Sequence, residues 1–256
     1  AVPFLCPECS SPYIKYFGSG TEKLEAELKS LVPTARVVRM DRDTTARKLA
    51  HQEILTAFRE KRYDILLGTQ MVAKGHDIPG VTAVGILSAD ASLNMPDFRA
   101  AERCFMLITQ TAGRAGRHGT RGAVIVQTYN PEHYAVCAAL RQDYEAFYAR
   151  EIELRRELFY PPFSRLVKLL FRDPQRARAW NAAKEFVAAA QTAFAGTTGC
   201  TVIGPSPALI ERERGVYRFI VLIKTDALAV VQNFLRIRGL HLRDDVAIDI
   251  DPIAIF

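Results

Sequence analysis

Residues 64–77 read Asp64-Ile65-Leu66-Leu67-Gly68-Thr69-Gln70-Met71-Val72-Ala73-Lys74-Gly75-His76-Asp77. The first five form a short, nearly continuous apolar run closed by a glycine. That is the pattern of a strand buried on both faces, as in a parallel sheet, and not of a strand with one wet side. Upstream, 36–41 (RVVRMD) reads as a second strand, and 44–62 as the helix between them, with Leu49, Ile54, Leu55 and Phe58 on its apolar side. Further upstream, 13–20 (YIKYFGSG) reads as a short strand ending in glycines, and 21–31 as a helix with Thr21 as its cap and acidic residues early. Downstream come a strand at 81–88 (VTAVGILS), a helix from Asp97 to about Gly113, and a strand at 123–128 (AVIVQT). This alternation predicts an α/β fold, a parallel sheet with helices on both faces. Ligands of such sheets sit beyond the carboxyl ends of the strands, where the loops after residues 17, 41, 68 and 88 fall.

Those loops carry chemistry. Thr69 and Gln70, with exposed backbone N–H groups, suit a nucleic-acid phosphate. Gly75 allows close backbone approach, and Asp77 suits a ribose hydroxyl. A helix cap with surface charge is the plainer reading of the same stretch. Residues 110–117 read Gln-Thr-Ala-Gly-Arg-Ala-Gly-Arg and place Arg114 and Arg117 three apart in a Gly/Ala frame after a helix. Arginine carries a permanent charge on a planar fork that grips phosphate oxygens, and an arginine finger stabilises the charge of a transferring phosphoryl group. A basic helix end answering the helix dipole explains one arginine, but less well the two glycines and Gln110. The chain contains no G-x-x-x-x-G-K-[ST] phosphate cradle. It therefore reads as the arginine-supplying half of a nucleotide-driven machine. Gly20 and Thr21, with Arg42, Asp43, Thr44 and Thr45, line a DNA track at strand ends in this reading, which is compatible with helix capping.

The rhythm changes after a helical stretch at 131–158. Tyr160-Pro161-Pro162-Phe163 marks a domain boundary. Strands at 165–172, about 200–212, 216–224 and 246–251, with helices at 175–195 and 226–238, give the order β-α-β-β-α-β, a split βαβ or ferredoxin-like sandwich. Fold order alone says nothing about activity. On its hairpin, Glu211-Arg212-Glu213-Arg214-Gly215-Val216-Tyr217-Arg218 interleaves cations with an aromatic. Arg212, Arg214, Tyr217 and Arg218 suit single-stranded DNA by charge and stacking, and an ordinary charged turn is the alternative. Lys168 and Arg172 are lesser candidates, and Trp180 reads as core.

The net charge of +6 over 256 residues permits nucleic-acid binding without proving it. No apolar run approaches the roughly 18 residues of a membrane span, and no secretory signal is visible. Five cysteines, only Cys6 and Cys9 of them close, argue against a secreted disulfide framework. Cys6-Pro7-Glu8-Cys9 suits half of a tetrahedral zinc site, since two thiolates from one turn fill two positions. A redox pair is the alternative. Of the histidines only His76 lies in a motif. The sequence starts without Met and close to the cysteine pair, which leads to the expectation of a piece cut from a longer protein.

GTQMVAKGHD at 68–77 and QTAGRAGR at 110–117 resemble motifs five and six of superfamily-two helicases. With Phe17-Gly18-Ser19-Gly20-Thr21-Glu22, Met40-Asp41-Arg42-Asp43-Thr44-Thr45, PDFRAAER at 96–103 and the ending Ile248-Asp249-Ile250-Asp251-Pro252-Ile253, the chain is similar to the PriA family of primosomal replication-restart helicases. The resemblance is strong from residue 6 to 163 and weaker beyond. It implies a zinc-binding remnant at 1–12, a second RecA-like motor lobe at 13–160 and a C-terminal α+β domain at 161–256. It also implies ATP-driven 3′-to-5′ unwinding. Gly75, Asp77, Gln110, Arg114 and Arg117 match nucleotide-facing positions, with Lys74 beside them; Arg117 is the first choice for the finger and Arg114 the second. ATP and Mg2+ are then bound mainly by the missing N-terminal half of the same chain, and this part is inactive alone. Zn2+ belongs to the full-length protein, with Cys6 and Cys9 metal-free here. Implied partners are forked and single-stranded DNA, the single-stranded-DNA-binding protein and other primosome proteins, in a bacterial, nucleoid-associated cytoplasmic setting with no membrane role. A stand-alone RecA-like nucleic-acid-binding module without motor action is the competing reading. A RecG-like translocase is a third, against which the residues around Asp41 and the Asp-Pro-Ile ending speak.

Overall fold

The computed structural model describes residues 20–41, 44, 50–69, 78–116 and 122–255. The expected strand at 13–20, apart from Gly20, and the start of the helix expected at 44–62, apart from Thr44, lie outside the described residues. The chain divides into two compact units. One runs to Leu93 and resumes at Cys104–Gln142; the other comprises Asn94–Arg103 and Asp143–Phe256. The boundary read at Pro161-Pro162 lies inside the second unit, whose first long helix precedes the prolines.

In the first unit, helix α1 (Thr21–Leu31) leads to strand β1 (Val37–Met40), and helix α2 (Ala50–Arg59) to strand β2 (Ile65–Gly68). β1 and β2 are parallel, in register from Val37↔Ile65 to Met40↔Gly68. A parallel pair needs a crossover, which α2 supplies by packing Leu55 with Met40 and Ile78, flanked by Ile54, Phe58, Leu66 and Val81. Arg36 fastens the strand starts, donating from its backbone N–H (2.8 Å) and Nε (2.9 Å) to Asp64, whose carboxyl is held well below the usual range by these bonds.

Strands β3 (Ala83–Ile86) and β4 (Ala123–Val126) form a second parallel pair, in register from Ala83↔Ala123 to Ile86↔Val126. Among the described residues the two pairs are separate ladders, not one continuous sheet. Between them lie a single helical turn (Asp90–Leu93) and helix α3 (Ala100–Ala112), which buries Cys104, Phe105 and Ile108 on one face. The expected helix start at Asp97 moves to Ala100, because Asp97 turns its carboxylate onto the Arg99 N–H (2.9 Å). The helical stretch expected at 131–158 is two helices, α4 (Tyr134–Arg141) and α5 (Tyr144–Glu157). Gln142 breaks it with φ 56°, and Asp143 caps α5 by accepting from the Ala146 N–H.

In the second unit, strands β5 (Arg165–Asp173), β6 (Cys200–Glu213), β7 (Val216–Thr225) and β8 (Val246–Ile250) form one antiparallel sheet in the order β6-β7-β5-β8. Helices α6 (Arg176–Ala193) and α7 (Leu228–Ile237) complete the expected β-α-β-β-α-β topology. Alternation along the central strands sends Val167, Leu169, Phe171, Phe219, Val221 and Ile223 into a core with Phe186, Val187 and Val231. Each such side chain contributes about 1.5–3 kcal/mol on burial. Trp180 packs against this core, edge-on to Phe219 at 5.2 Å. Leu166 and Leu222 point to the opposite face, where Ile255, Phe98 and Tyr160 cover them. None of the described helices is long and apolar enough to cross a membrane.

Candidate nucleotide and nucleic-acid interface

β1 ends on the buried Met40, and the next residue, Asp41, is buried too. Thr21 Oγ1 donates to Asp41 Oδ2 (2.5 Å), and the Thr44 N–H to Oδ1 (3.0 Å). The Asp41 N–H donates in turn to Thr44 Oγ1 (2.9 Å), and Arg39 Nε lies 3.1 Å from the carboxylate. The Thr21 and Thr44 bonds, with a smaller contribution from the Arg39 charge, hold Asp41 below the usual carboxylate range. An ionised Asp41 repels phosphate. Its work is to tie the start of α1 to the loop after β1. Gly20, Thr21 and Thr44 are thus brought to one place, as read from the sequence, but not as expected in detail. Gly20 is the N-cap of α1 and Thr21 its first helical residue, so the capping role assigned to Thr21 is corrected. Both threonine hydroxyls are engaged by Asp41. Because Met40 pairs with Gly68, Asp41 and the exposed Thr69 emerge at the same strand edge. Arg42, Gln70, Lys74, Gly75 and Asp77 lie outside the described residues.

The arginine segment is built by α3 and the turn that ends it. Gln110 is exposed on the last turn of the helix. Backbone N–H groups of Gly113, Arg114 and Ala115 fold back onto Thr109, Thr111 and Ala112 carbonyls at 3.0–3.1 Å and carry the half-buried Arg114 round the corner. Gly116 adopts φ 74°, a conformation that suits glycine, and its N–H donates to Val81 O at 3.1 Å. Gly122 presses on the same turn. A Cβ there would lie 2.2 Å from the Gly116 nitrogen and 2.4 Å from the Ala115 carbonyl carbon. The turn is therefore fastened beside Val81, two residues before β3, and not at a carboxyl strand end. A helix leaving the carboxyl end of a strand runs back along it, so its own end arrives at the amino end. Arg117 lies outside the described residues.

Sequence reading missed Asp90. It is buried at the carboxyl ends of β3 and β4 and accepts from Thr128 Oγ1, the Tyr129 N–H and Asn130 Nδ2, each at 3.0 Å. Burial opposes its ionisation, but these hydrogen bonds outweigh it and hold the carboxyl below its ordinary range. Asp90, with burial the larger cause, also pushes the buried Cys104 thiol up to about 11.

On the second unit's hairpin, Arg212 lies over the Tyr217 ring at 5.1 Å, and Arg214 is exposed at the turn with φ 50°, followed by Gly215 at φ 85°. Arg218 departs from the expectation. Its Nε and Nη2 donate to Ile210 O (3.0 and 2.7 Å) and its Nη1 pairs with Glu213, so it braces the hairpin from within. Lys168 likewise donates to Ala254 O (2.9 Å) and Arg172 to Asp244 O (2.6 Å). Arg212 and Arg214 are exposed, whereas Tyr217 is half-buried and packs against the core, with Arg212 over its ring. Cys6 and Cys9 lie outside the described residues, and among the described residues no group of three His, Cys, Asp or Glu is placed to hold a metal.

Comparison with known proteins follows this division. The family described as "Helicase conserved C-terminal domain" matches residues 11–119, and "Primosomal protein N C-terminal domain" matches 156–253. The chain is 48% identical over 223 residues to the Replication restart protein PriA of Bacillus subtilis, covering 87% of this chain and 28% of that protein. It is 43% identical to that of Treponema pallidum (92% and 36%) and 38% identical to that of Synechocystis (99% and 30%). It thus spans about a third of the length of these relatives. Among solved structures, S. cerevisiae Dbp5 bound to RNA and ADP BeF3 overlaps 54% of this chain and 35% of its own at 20% identity, with a TM-score of 0.34, too low to carry an argument. The two family matches, in the order in which the units carry the arginine segment and the antiparallel sheet, together with these relatives, show that the chain belongs to the PriA family of replication restart proteins.

Proposed function

We propose that this chain is the second RecA-like motor lobe and the C-terminal domain of an ATP-dependent 3′-to-5′ DNA helicase that assembles primosomes and restarts replication. The observation that carries the reading is the arginine turn. Gln110 and Arg114 end a helix whose corner is locked by Gly116 and Gly122, so charge is presented on rigid backbone. ATP bound to a companion lobe supplies the phosphoryl transfer. Arg117, with Arg114 beside it, reaches across to the transferring phosphate, and Gln110 orients that encounter. Gly75, Asp77 and Lys74 face the nucleotide, while Mg2+ is held by the companion lobe. Gly20, Thr21, Arg42, Thr44, Thr69 and Gln70 line the DNA track, with Asp41 as the brace that fixes Thr21 and Thr44. Arg212, Arg214 and Tyr217 grip single-stranded DNA by stacking and charge. Single-stranded-DNA-binding protein and other primosome proteins are the proposed partners, Cys6 and Cys9 the proposed remainder of a zinc site of the longer protein, and the bacterial cytoplasm the proposed location.

Strand displacement by the full-length protein tests this. A duplex with a 3′ single-stranded tail on the loading strand is expected to be unwound with ATP and Mg2+, and the 5′-tailed counterpart to remain annealed. Unwinding of the 5′-tailed duplex alone contradicts the polarity. DNA binding with no unwinding of either contradicts motor action and favours a binding module.

A further inference from the structure

Tyr129 is the most exposed large apolar side chain among the described residues, at 92%, yet the backbone that carries it is anchored on both sides. Before it, the β3–β4 pairing continues past Val126: the Gln127 N–H donates to Ile86 O (2.8 Å), and the Ala89 N–H to Gln127 O (3.1 Å). At the residue itself, the Tyr129 N–H donates to the buried Asp90, which also accepts from Thr128 Oγ1 and Asn130 Nδ2. After it, the Asn130 N–H donates to Thr128 Oγ1 (3.0 Å), and Asn130 O accepts from the N–H of His133 (3.1 Å), the N-cap of α4. Beside Asp90, Ser88 is bent to φ 58°, a conformation that serine seldom adopts. All of these residues belong to the first unit.

A buried carboxylate costs free energy unless hydrogen bonds satisfy it, and Asp90 spends its bonds on residues 128–130. That brace serves no packing of the Tyr129 ring, which touches little of the chain. What it achieves is a large, rigid aromatic held in solvent at the carboxyl end of a parallel strand pair, where ligands of such sheets bind. An aromatic face stacks on any nucleobase, because every base has a π-face, so it grips a strand without reading its sequence. We infer that Tyr129 is a stacking residue for a nucleobase of a DNA strand that passes the carboxyl ends of β3 and β4. The choice of DNA rests on the proposed function; the anchored, exposed ring does not.

Tyr129→Leu and Tyr129→Phe, read against two single-stranded oligonucleotides, test this. The ring touches little, so both variants keep the fold. One oligonucleotide carries bases throughout; the other, of equal length, carries only abasic sites. Titration of this chain at low salt, where phosphate contacts help to hold both strands, gives Kd and stoichiometry separately. Tyr129→Leu is expected to weaken binding of the base-bearing strand about tenfold and of the abasic strand less than about twofold. Tyr129→Phe, which keeps the π-face, is expected to stay within about twofold of wild type on both. A smaller folded fraction lowers the stoichiometry on both strands alike and cannot make the loss of affinity depend on the bases. An equal loss on both strands, or no loss on either, overturns the inference. In the full-length protein, KM for ATP is expected to stay within about twofold. A rise of about tenfold in that KM, with DNA affinity unchanged, gives the ring to the base of ATP and overturns the inference. Binding of neither strand by wild type overturns it together with the DNA track of the proposed function. Binding of single strands that is indifferent to Tyr129 overturns the inference alone and leaves that track standing.

Discussion

Arg117→Ala in the full-length protein is expected to lower DNA-stimulated ATP hydrolysis by about 10³-fold or more, with affinity for single-stranded DNA nearly unchanged. A finger arginine makes its contact where charge develops, so its loss falls on the transition state and not on ground-state binding. Arg114→Ala, three residues earlier, is expected to cost about tenfold or more, since an arginine near a transferring phosphate acts on its charge even at longer range. The contrast between them assigns the finger: the larger collapse at Arg114 transfers the role to it. Steady-state hydrolysis with and without a saturating oligonucleotide measures both.

Gly122→Ala has the largest expected structural effect. Its new Cβ would meet the Gly116 nitrogen at 2.2 Å and the Ala115 carbonyl carbon at 2.4 Å, both backbone atoms. Backbone cannot swing aside as a side-chain tip does, so the turn must open or the strand start must shift. The expected loss is about 3 kcal/mol, the upper end for overpacking. That corresponds to a fall of about 11 °C in melting of the first unit. Gly85→Ala is the control, because none of the described residues lies within 4 Å of the added carbon, and it should be near neutral. Because Gly116 donates to Val81 O beside this contact, Gly122→Ala should also depress ATP hydrolysis in the folded fraction.

The contrast between legible and hidden features has a physical basis. Ile65–Gly68 and the β-α-β-β-α-β order were readable because apolar period and run length are local properties of the chain. The break at Gln142 was signalled only by Asp143, a helix cap indistinguishable from a surface acid until the chain turns there. Thr21 was read as a cap because its partner Asp41 lies 20 residues on. The burial of Asp90 and Asp97 was hidden for the same reason. Their partners lie 38 to 40 and up to 158 residues away, and nothing in the local pattern marks an acid as buried. Arg218 was grouped with the single-stranded-DNA candidates because cation-and-aromatic spacing does not show that the Ile210 carbonyl and Glu213 already occupy its fork. The arginine turn itself was legible as glycine and arginine spacing, whereas its attachment to Val81 follows from the path of α3.

The central claim is that this chain supplies arginines to a nucleotide held elsewhere. The measurement that meets it most directly is ATP hydrolysis with Mg2+ and forked DNA by this chain alone, by the preceding part of the protein alone, and by the two together. The account predicts no hydrolysis by this chain alone, and DNA-stimulated hydrolysis by the mixture that disappears with Arg117→Ala. Hydrolysis by this chain alone, or a mixture of folded parts that binds DNA yet hydrolyses nothing, would contradict it.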